Sequence, residues 1–233
     1  MAPLSEGDLT ELRSQLLVAG PSAWAAFRML AAWGDEASLR VLCEQAQAPD
    51  WRYRRAAIEA LAGHALASRA RQVIVVALSD VSPYVARTAC EAVGSLAIPQ
   101  ARRGISALAR DPDPATRGAA LRAWAAVWRP EDFEPVYRIY AQDKVEQVRR
   151  EAAGLLRQHA DAANWQRLFA AWSTAPFGRH RVWACELAAR FGVAGVEAAL
   201  RERLHDKDGH VRKAASRALA AAAQALDAPA GQV

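Results

Sequence analysis

Four potential metal ligands crowd one short stretch: His205, Asp206, Asp208 and His210. Imidazole and carboxylate are donors that zinc and similar cations accept. Both acids also have structural uses. Asp208 is suited to capping the helix that follows, and Asp206 recurs in a turn pattern set out below, so no metal site is expected. Cys43, Cys90 and Cys185 lie far apart with no Cys-x-x-Cys spacing, which excludes a zinc knuckle and a dithiol redox motif. Their odd number speaks against a disulfide framework and for a reducing compartment. The chain has no Gly-x-Gly-x-x-Gly or Walker sequence, no Gly-x-Ser-x-Gly elbow and no His-Glu-x-x-His. No catalytic residue and no cofactor are therefore nominated, and Cys90 and Cys185 are read as small packing residues at helix-helix edges.

The elements that would carry any site follow from composition and periodicity. The 233 residues are 52% hydrophobic and 24% charged, with a formal charge of +5. That is too apolar for a disordered chain, and arginines interrupt every apolar run before it reaches membrane-spanning length. Alanine dominates and β-branched residues are scarce, which favours helix over sheet. Of 30 basic side chains only Lys144, Lys207 and Lys213 are lysines. Together with the abundant alanine, that ratio suits a GC-rich bacterial genome and makes arginine a weak sign of nucleic-acid binding. Residues 1–8 show neither a basic nor an apolar leader segment. The expectation is a soluble cytoplasmic protein without membrane association.

One frame recurs along the chain. It opens on Tyr53, Val85, Thr116, Val148, His180 and Val211, spaced by 31 or 32 residues. Alanine stands four residues after each opening, at Ala57, Ala89, Ala120, Ala152, Ala184 and Ala215. A mostly apolar residue stands eight after it. Positions 0, +4, +7, +8 and +11 share one face of a helix, so each frame reads as an amphipathic helix whose small +4 residue admits a close neighbour. An Asp-, Ser- or Pro-bearing turn precedes each frame, and a second apolar-periodic stretch precedes each turn. Two further helices are read around 5–18 and 22–33. A helix pair cannot bury its apolar face alone, whereas stacked pairs bury a continuous core. The fold class expected is all-α: a right-handed α-solenoid of about six to seven stacked helix pairs. It forms one elongated domain over 1–233, with cap helices at about 5–33, repeats at about 36–226 and a frayed tail at 227–233.

These residues resemble the HEAT repeat in its short bacterial form, which is also that of the phycobilisome-lyase-like repeats. The matching text is Asp-Pro-Asp-Pro-x-x-Arg at 111–117, Asp-x-x-x-x-Val-Arg at 143–149 and Asp-x-Asp-x-x-Val-Arg at 206–212. The resemblance implies a ladder between repeats, built from a turn Asp and the Arg six residues on. Its acids would be Asp80, Asp111, Asp143 and Asp206, and its bases Arg54, Arg117, Arg149, Arg181 and Arg212. Ala48 and Ala175 lack the acid and Ala86 lacks the base, so interruptions are expected there unless a neighbour supplies the charge. Some relatives are enzymes. Deoxyhypusine hydroxylase holds iron on His-Glu pairs, and none occurs here. HEAT-like alkylpurine DNA glycosylases use an acid among aromatic residues, a role that only Glu186, three residues after Trp183, distantly suits. The phycobiliprotein chromophore lyases share the short repeat.

The resemblance also implies that the second helices line a concave face, on which positions −1, +2 and +6 point outward. Position +2 holds Arg55, Arg87, Gly118, Arg150, Val182 and Lys213. Position −1 holds Arg52, Tyr84, Ala115, Gln147, Arg179 and His210. Position +6 holds Glu59, Glu91, Arg122, Gly154, Glu186 and Arg217. A solvated face would pair Arg55 with Glu59 and Arg87 with Glu91 along the helix. Arg150, Lys213 and Arg217 have no such acid four residues on, which concentrates the basic excess towards the C-terminal half. The function expected is a non-enzymatic scaffold or adaptor that binds a protein partner with an acidic or helical segment through Arg52, Arg55, Tyr84, Arg87, Arg150, Arg179, His210 and Lys213. The alternative partner is a nucleic acid, with or without base-excision chemistry, although acids on the same face oppose a continuous phosphate track. Among the tryptophans, Trp124, Trp165 and Trp172 fall on packing faces, Trp183 is expected to be half exposed, and Trp51 beside Arg52 is expected to be exposed.

Overall fold

The computed structural model describes residues 5–17 and 20–227, and all the regular structure among them is helical. Fourteen α-helices run in chain order: α1 Glu6–Leu17, α2 Pro21–Trp33, α3 Glu36–Gln45, α4 Trp51–Ala62, α5 Arg71–Ala77, α6 Pro83–Leu96, α7 Arg102–Leu108, α8 Pro114–Trp124, α9 Phe133–Gln142, α10 Glu146–Gln158, α11 Trp165–Ser173, α12 Gly178–Phe191, α13 Glu197–Arg203 and α14 Gly209–Asp227. Successive helices pack in pairs along the chain, which is an α-solenoid arrangement. The chain divides into two compact units, the first ending at Leu155 and the second beginning at Leu156. In the first unit the second helices stack on one another, α2 on α4, α4 on α6 and α6 on α8, while α1, α3, α5 and α7 each pack on their own partner. In the second unit α12 stacks on α14, with α11 and α13 packed on their partners. Helix α14 continues to Asp227, and the rest of the expected frayed tail, 228–233, lies outside the described residues.

The recurring frame defines the core. Its opening residues are buried in every repeat, and the six alanines at +4 are inaccessible to solvent. A methyl group is all that fits between stacked second helices there, and a larger side chain would cost about 1–3 kcal/mol of overpacking. Cys90 and Cys185, read as small packing residues at helix-helix edges, are completely buried. Helix starts obey the capping rules. Asp50 accepts a hydrogen bond from the Arg52 N–H and Asp113 from those of Ala115 and Thr116, while prolines open α2, α6 and α8. Helix α2 stops at Gly34, whose φ of 75° a side-chain-bearing residue rarely adopts.

The ladder has a definite wiring. Arg54 donates Nε to Asp80 Oδ2 at 2.7 Å and Nη2 to Asp80 Oδ1 at 2.8 Å, and gives Nη1 to the carbonyls of Ala48 and Pro49 in its own turn. Arg117 repeats this with Asp143 at 2.8 and 2.9 Å and the carbonyls of Asp111 and Pro112. Arg181 repeats it with Asp206 at 2.8 and 2.9 Å and the carbonyls of Ala175 and Pro176. Each acid also accepts the N–H two residues on, from Ser82, Val145 and Asp208 respectively. Thus one guanidinium ties its own turn to the next, and the next turn is tightened by the same carboxylate. Asp80 and Asp206 are held below the usual carboxylate range, chiefly by the bonds from Arg54 and Arg181. Burial pushes Asp143 up, but the Arg117 and Val145 bonds outweigh it and the net shift is down. A depressed carboxyl stabilises the fold above its ordinary value of 3.8, and that stabilisation is lost as pH falls through the folded value.

The interruptions fall where the residues are missing. With Ala86 in the base position, Asp111 has no arginine and its carboxylate accepts the Asp113 N–H. The next residue, Arg87, reaches Asp113 at 3.1 Å instead. Arg149 and Arg212 keep the bond to their own turns, at the carbonyls of Asp143 and Asp206. A further link had no repeated sequence signal: Arg102 on α7 binds both oxygens of buried Asp132 and the Val127 carbonyl.

A second buried polar device joins α3 to the end of α4. Ser38 caps α3 reciprocally with Asp35 and lies 3.0 Å from His64 Nε2. His64 Nδ1 accepts the Leu66 N–H at 3.0 Å, so the neutral ring carries its proton on Nε2 and donates it to Ser38 Oγ. Burial pushes the His64 imidazole below its ordinary 6.5, against an opposing pull from Asp35. Protonating Nδ1 would set two N–H groups against each other.

Two stability measurements follow from this wiring. Asp143→Ala should cost about 3 kcal/mol in urea denaturation, because it strands the Arg117 fork. Asp111→Ala should cost about 1 kcal/mol, since it removes a turn contact without stranding a charge. Equal losses would deprive the arginine fork of its special weight. For His64, a folded value below the unfolded one means that the unfolded state binds the extra proton, so stability is full above pH 6.5 and falls as pH drops from there. His64→Gln should flatten that part of the pH profile relative to the parent protein.

Candidate functional site

The second-helix face of the first unit collects aromatic and cationic side chains at its α2–α4–α6 end. Trp51 opens α4 and stacks on Tyr84, which opens α6, with centroids 4.8 Å apart and planes 22° from parallel. Arg52 lies over Trp51 and Arg87 over Tyr84, at 5.7 and 4.8 Å from the ring centroids. The result is a layered cation–aromatic–aromatic–cation stack across two repeats, in which each guanidinium meets the negative face of a ring. Trp51 is thus half buried by its neighbour rather than exposed as the sequence suggested. On the other side of α4, Trp24 of α2 stacks on Phe27 and tilts against Tyr53, yet remains 38% exposed.

Between α2 and α4 lies a cleft of about 510 Å³ lined by Trp24, Phe27, Arg28, Ala31, Ala32, Ala56, Glu59, Ala60 and Gly63. It continues into a second of about 320 Å³ bounded by Trp24, Trp51, Arg52, Arg55, Ala56 and Glu59. Volumes of this size suit a bound side chain or small ligand. Arg28 and Arg55 are exposed and have no ion-pair partner among the described residues, while Arg52 has only Asp50 at 3.8 Å.

Elsewhere the expected contacts are more constrained. Arg87 is committed to Asp113 and Tyr84, and neither Arg55–Glu59 nor Arg87–Glu91 forms. Arg150, expected without a helical partner, is bound by Glu146 one turn earlier. The acid precedes its base by four residues here, so acid-before-base order supplies the pair that a base-before-acid spacing does not show. Arg122 reaches Glu151 at 3.3 Å in the following repeat, and in the second unit Arg157 reaches Glu186 at 2.7 Å while lying over Trp183. Gly118 is buried and offers no contact. Also in the second unit, Arg179, His210, Lys213 and Arg217 are exposed, with no side-chain partner among the described residues. Trp172 and Trp183 enclose His180, with Phe177 on its edge.

Residues 70–157 match the family described as HEAT repeats. The match to HEAT repeats is confined to that segment. A solved engineered protein matches 93% of the chain and 68% of its own at 18% identity, with a TM-score of 0.63. The archaeal HEAT-like repeats protein from Thermococcus onnurineus NA1 matches 95% and 100% at 15% identity and 0.61. The complex of CpcE and CpcF of phycocyanin lyase from Nostoc sp. PCC7120 matches 97% and 94% at 15% identity and 0.55. At such identities the likeness is one of fold. Among curated proteins none matches the chain in sequence.

The side chains singled out as candidates for chemistry have other partners. Glu186, the one carboxylate suited to a glycosylase-like role, accepts both Nε and Nη2 of Arg157 on an exposed surface. Asp206 belongs to Arg181, and Asp208 accepts the His210 N–H. No group of three or more metal-type donors is gathered among the described residues, and no described helix is long and apolar enough to cross a membrane. Burial pushes the Cys90 thiol up to about 12 and the Cys185 thiol up to about 11, whereas Cys43 is only part-buried. A thiol-specific disulfide reagent at neutral pH should therefore label Cys43 first, with Cys90 and Cys185 reacting only as the protein unfolds. Rapid native labelling of all three would contradict their placement in the core.

Proposed function

We propose that this protein is a non-enzymatic HEAT-repeat scaffold that captures an acidic segment of a protein partner on its second-helix face. The observation that carries the proposal is a cationic rim beside exposed and half-buried aromatic rings in the first unit, in which Arg28 and Arg55 have no ion pair among the described residues and Arg52 has only Asp50 at 3.8 Å. Arg28, Arg52 and Arg55 surround Trp24, Trp51 and Tyr84, while the bases further along are neutralised by Asp113, Glu151 and Glu146. Arginine with tryptophan and tyrosine is the composition enriched where interfaces concentrate their binding energy. A carboxylate partner would gain bidentate hydrogen bonds from the guanidinium forks of Arg28 and Arg55. Arg179, Lys213 and Arg217 extend the same chemistry to the second unit. Glu59 and Glu91 stand on this face as well, and like-charge repulsion there disfavours the evenly spaced phosphates of a duplex.

The test is fluorescence anisotropy of a labelled glutamate-rich peptide at low and at physiological salt, with a labelled DNA duplex in parallel. The peptide should bind, and Arg52→Glu with Arg55→Glu should weaken it about tenfold with little change in the melting temperature, since both side chains are solvated. Unaltered peptide binding by the double variant would refute the assignment of the face. Tighter, steeply salt-dependent binding of the duplex would transfer the face to nucleic acid.

A further inference from the structure

The cationic rim encloses something that charge alone does not use. The cleft between α2 and α4 has a floor of Ala31, Ala32, Ala56 and Ala60 and an end wall of Trp24 and Phe27. Four methyl groups opposite two aromatic rings leave an apolar recess of about 510 Å³, and the indole wall is 38% exposed even though it packs on Phe27 and Tyr53. Apolar surface of this kind, rimmed by polar groups, marks an interaction site. The rim is asymmetric in charge. Arg28 stands one helical turn after Trp24 on α2, Arg55 one turn after Trp51 on α4, and Glu59 is the single acid in the lining.

We infer that this cleft takes one large apolar side chain, aromatic or branched aliphatic, from an acidic peptide segment whose flanking carboxylates pair with Arg28 and Arg55. Charge complementarity selects the occupant. A neutral apolar segment would leave two guanidinium groups uncompensated at the rim of a dewetted recess, and a basic one would be repelled. The alanine floor accommodates side-chain bulk, and the aromatic wall lies alongside it. The inference rests on the acidic-segment function proposed above and adds the apolar anchor that would make such binding selective.

Three labelled peptides separate the two ideas: an acidic peptide with a central phenylalanine, the same peptide with alanine in that place, and an uncharged serine-rich peptide with the phenylalanine. The acidic phenylalanine peptide should bind about tenfold more tightly than its alanine counterpart, and the excess should persist at high salt. Ala32→Leu fills the cleft from an exposed position and should abolish that excess while leaving the alanine peptide's affinity unchanged. Ala56→Leu fills it from α4 and should do the same. Equal binding of the two acidic peptides overturns the anchor and leaves the cationic function standing. Failure of both acidic peptides to bind overturns the function and the anchor together. Equal binding of the uncharged and acidic phenylalanine peptides shows that charge plays no part, and the acidic occupant falls.

Discussion

An arginine in the fourth position of a second helix holds two turns at once. Its Nη1 satisfies carbonyls of the turn from which its own helix springs, and its Nε–Nη2 edge grips the carboxylate of the next turn along. The geometry recurs at Arg54, Arg117 and Arg181 to within about 0.1 Å. In the second unit the Arg181 and Asp206 side chains are only 6% and 5% exposed. Buried charges of this kind cost much to strand and little to keep once paired. The planar fork also sets distance and angle together, which a lysine could not do. Repeat spacing along the stack is thereby set by a rigid bidentate contact as well as by apolar burial.

The alanine at +4 is the packing counterpart of that fork. It brings successive second helices close enough for a guanidinium on one to reach the following turn, and close enough for side chains on the opposite face to meet across repeats. The Trp51–Tyr84 stack and the Arg122–Glu151 and Arg157–Glu186 pairs are consequences of that approach. Four cations on the second-helix face, Arg87, Arg122, Arg150 and Arg157, are neutralised by an acid on a neighbouring repeat or a neighbouring turn. Within the first unit, what distinguishes the α2–α4 end is that Arg28 and Arg55 lack such acids among the described residues beside the exposed ring of Trp24. Selectivity on this face thus depends on which charges the fold leaves unpaired.

The buried network around His64 shows the same economy in polar form. One hydroxyl, that of Ser38, caps a helix, donates to the Asp35 carbonyl and receives the imidazole proton. Every group in it has a partner only while the ring is neutral, so the link between α3 and the end of α4 carries a built-in sensitivity to acid.

Local rules made much of this protein legible in advance. The six-fold frame, the buried alanines and the capped turns follow from helical period and turn chemistry, which act over a few residues and are written in consecutive letters, while the members of the three complete ladder rungs are implied by the resemblance of the turns to those of the HEAT repeat. The direction of each rung, the substitution of Arg87 for the base missing at Ala86, the Arg102–Asp132 link, the half-burial of Trp51 and the cleft between α2 and α4 could be read only from the folded chain. Each joins groups about 26 to 33 residues apart. Such contacts depend on the reach and rotamer of side chains once neighbouring helices have packed, and a spacing rule along one helix carries no information about that.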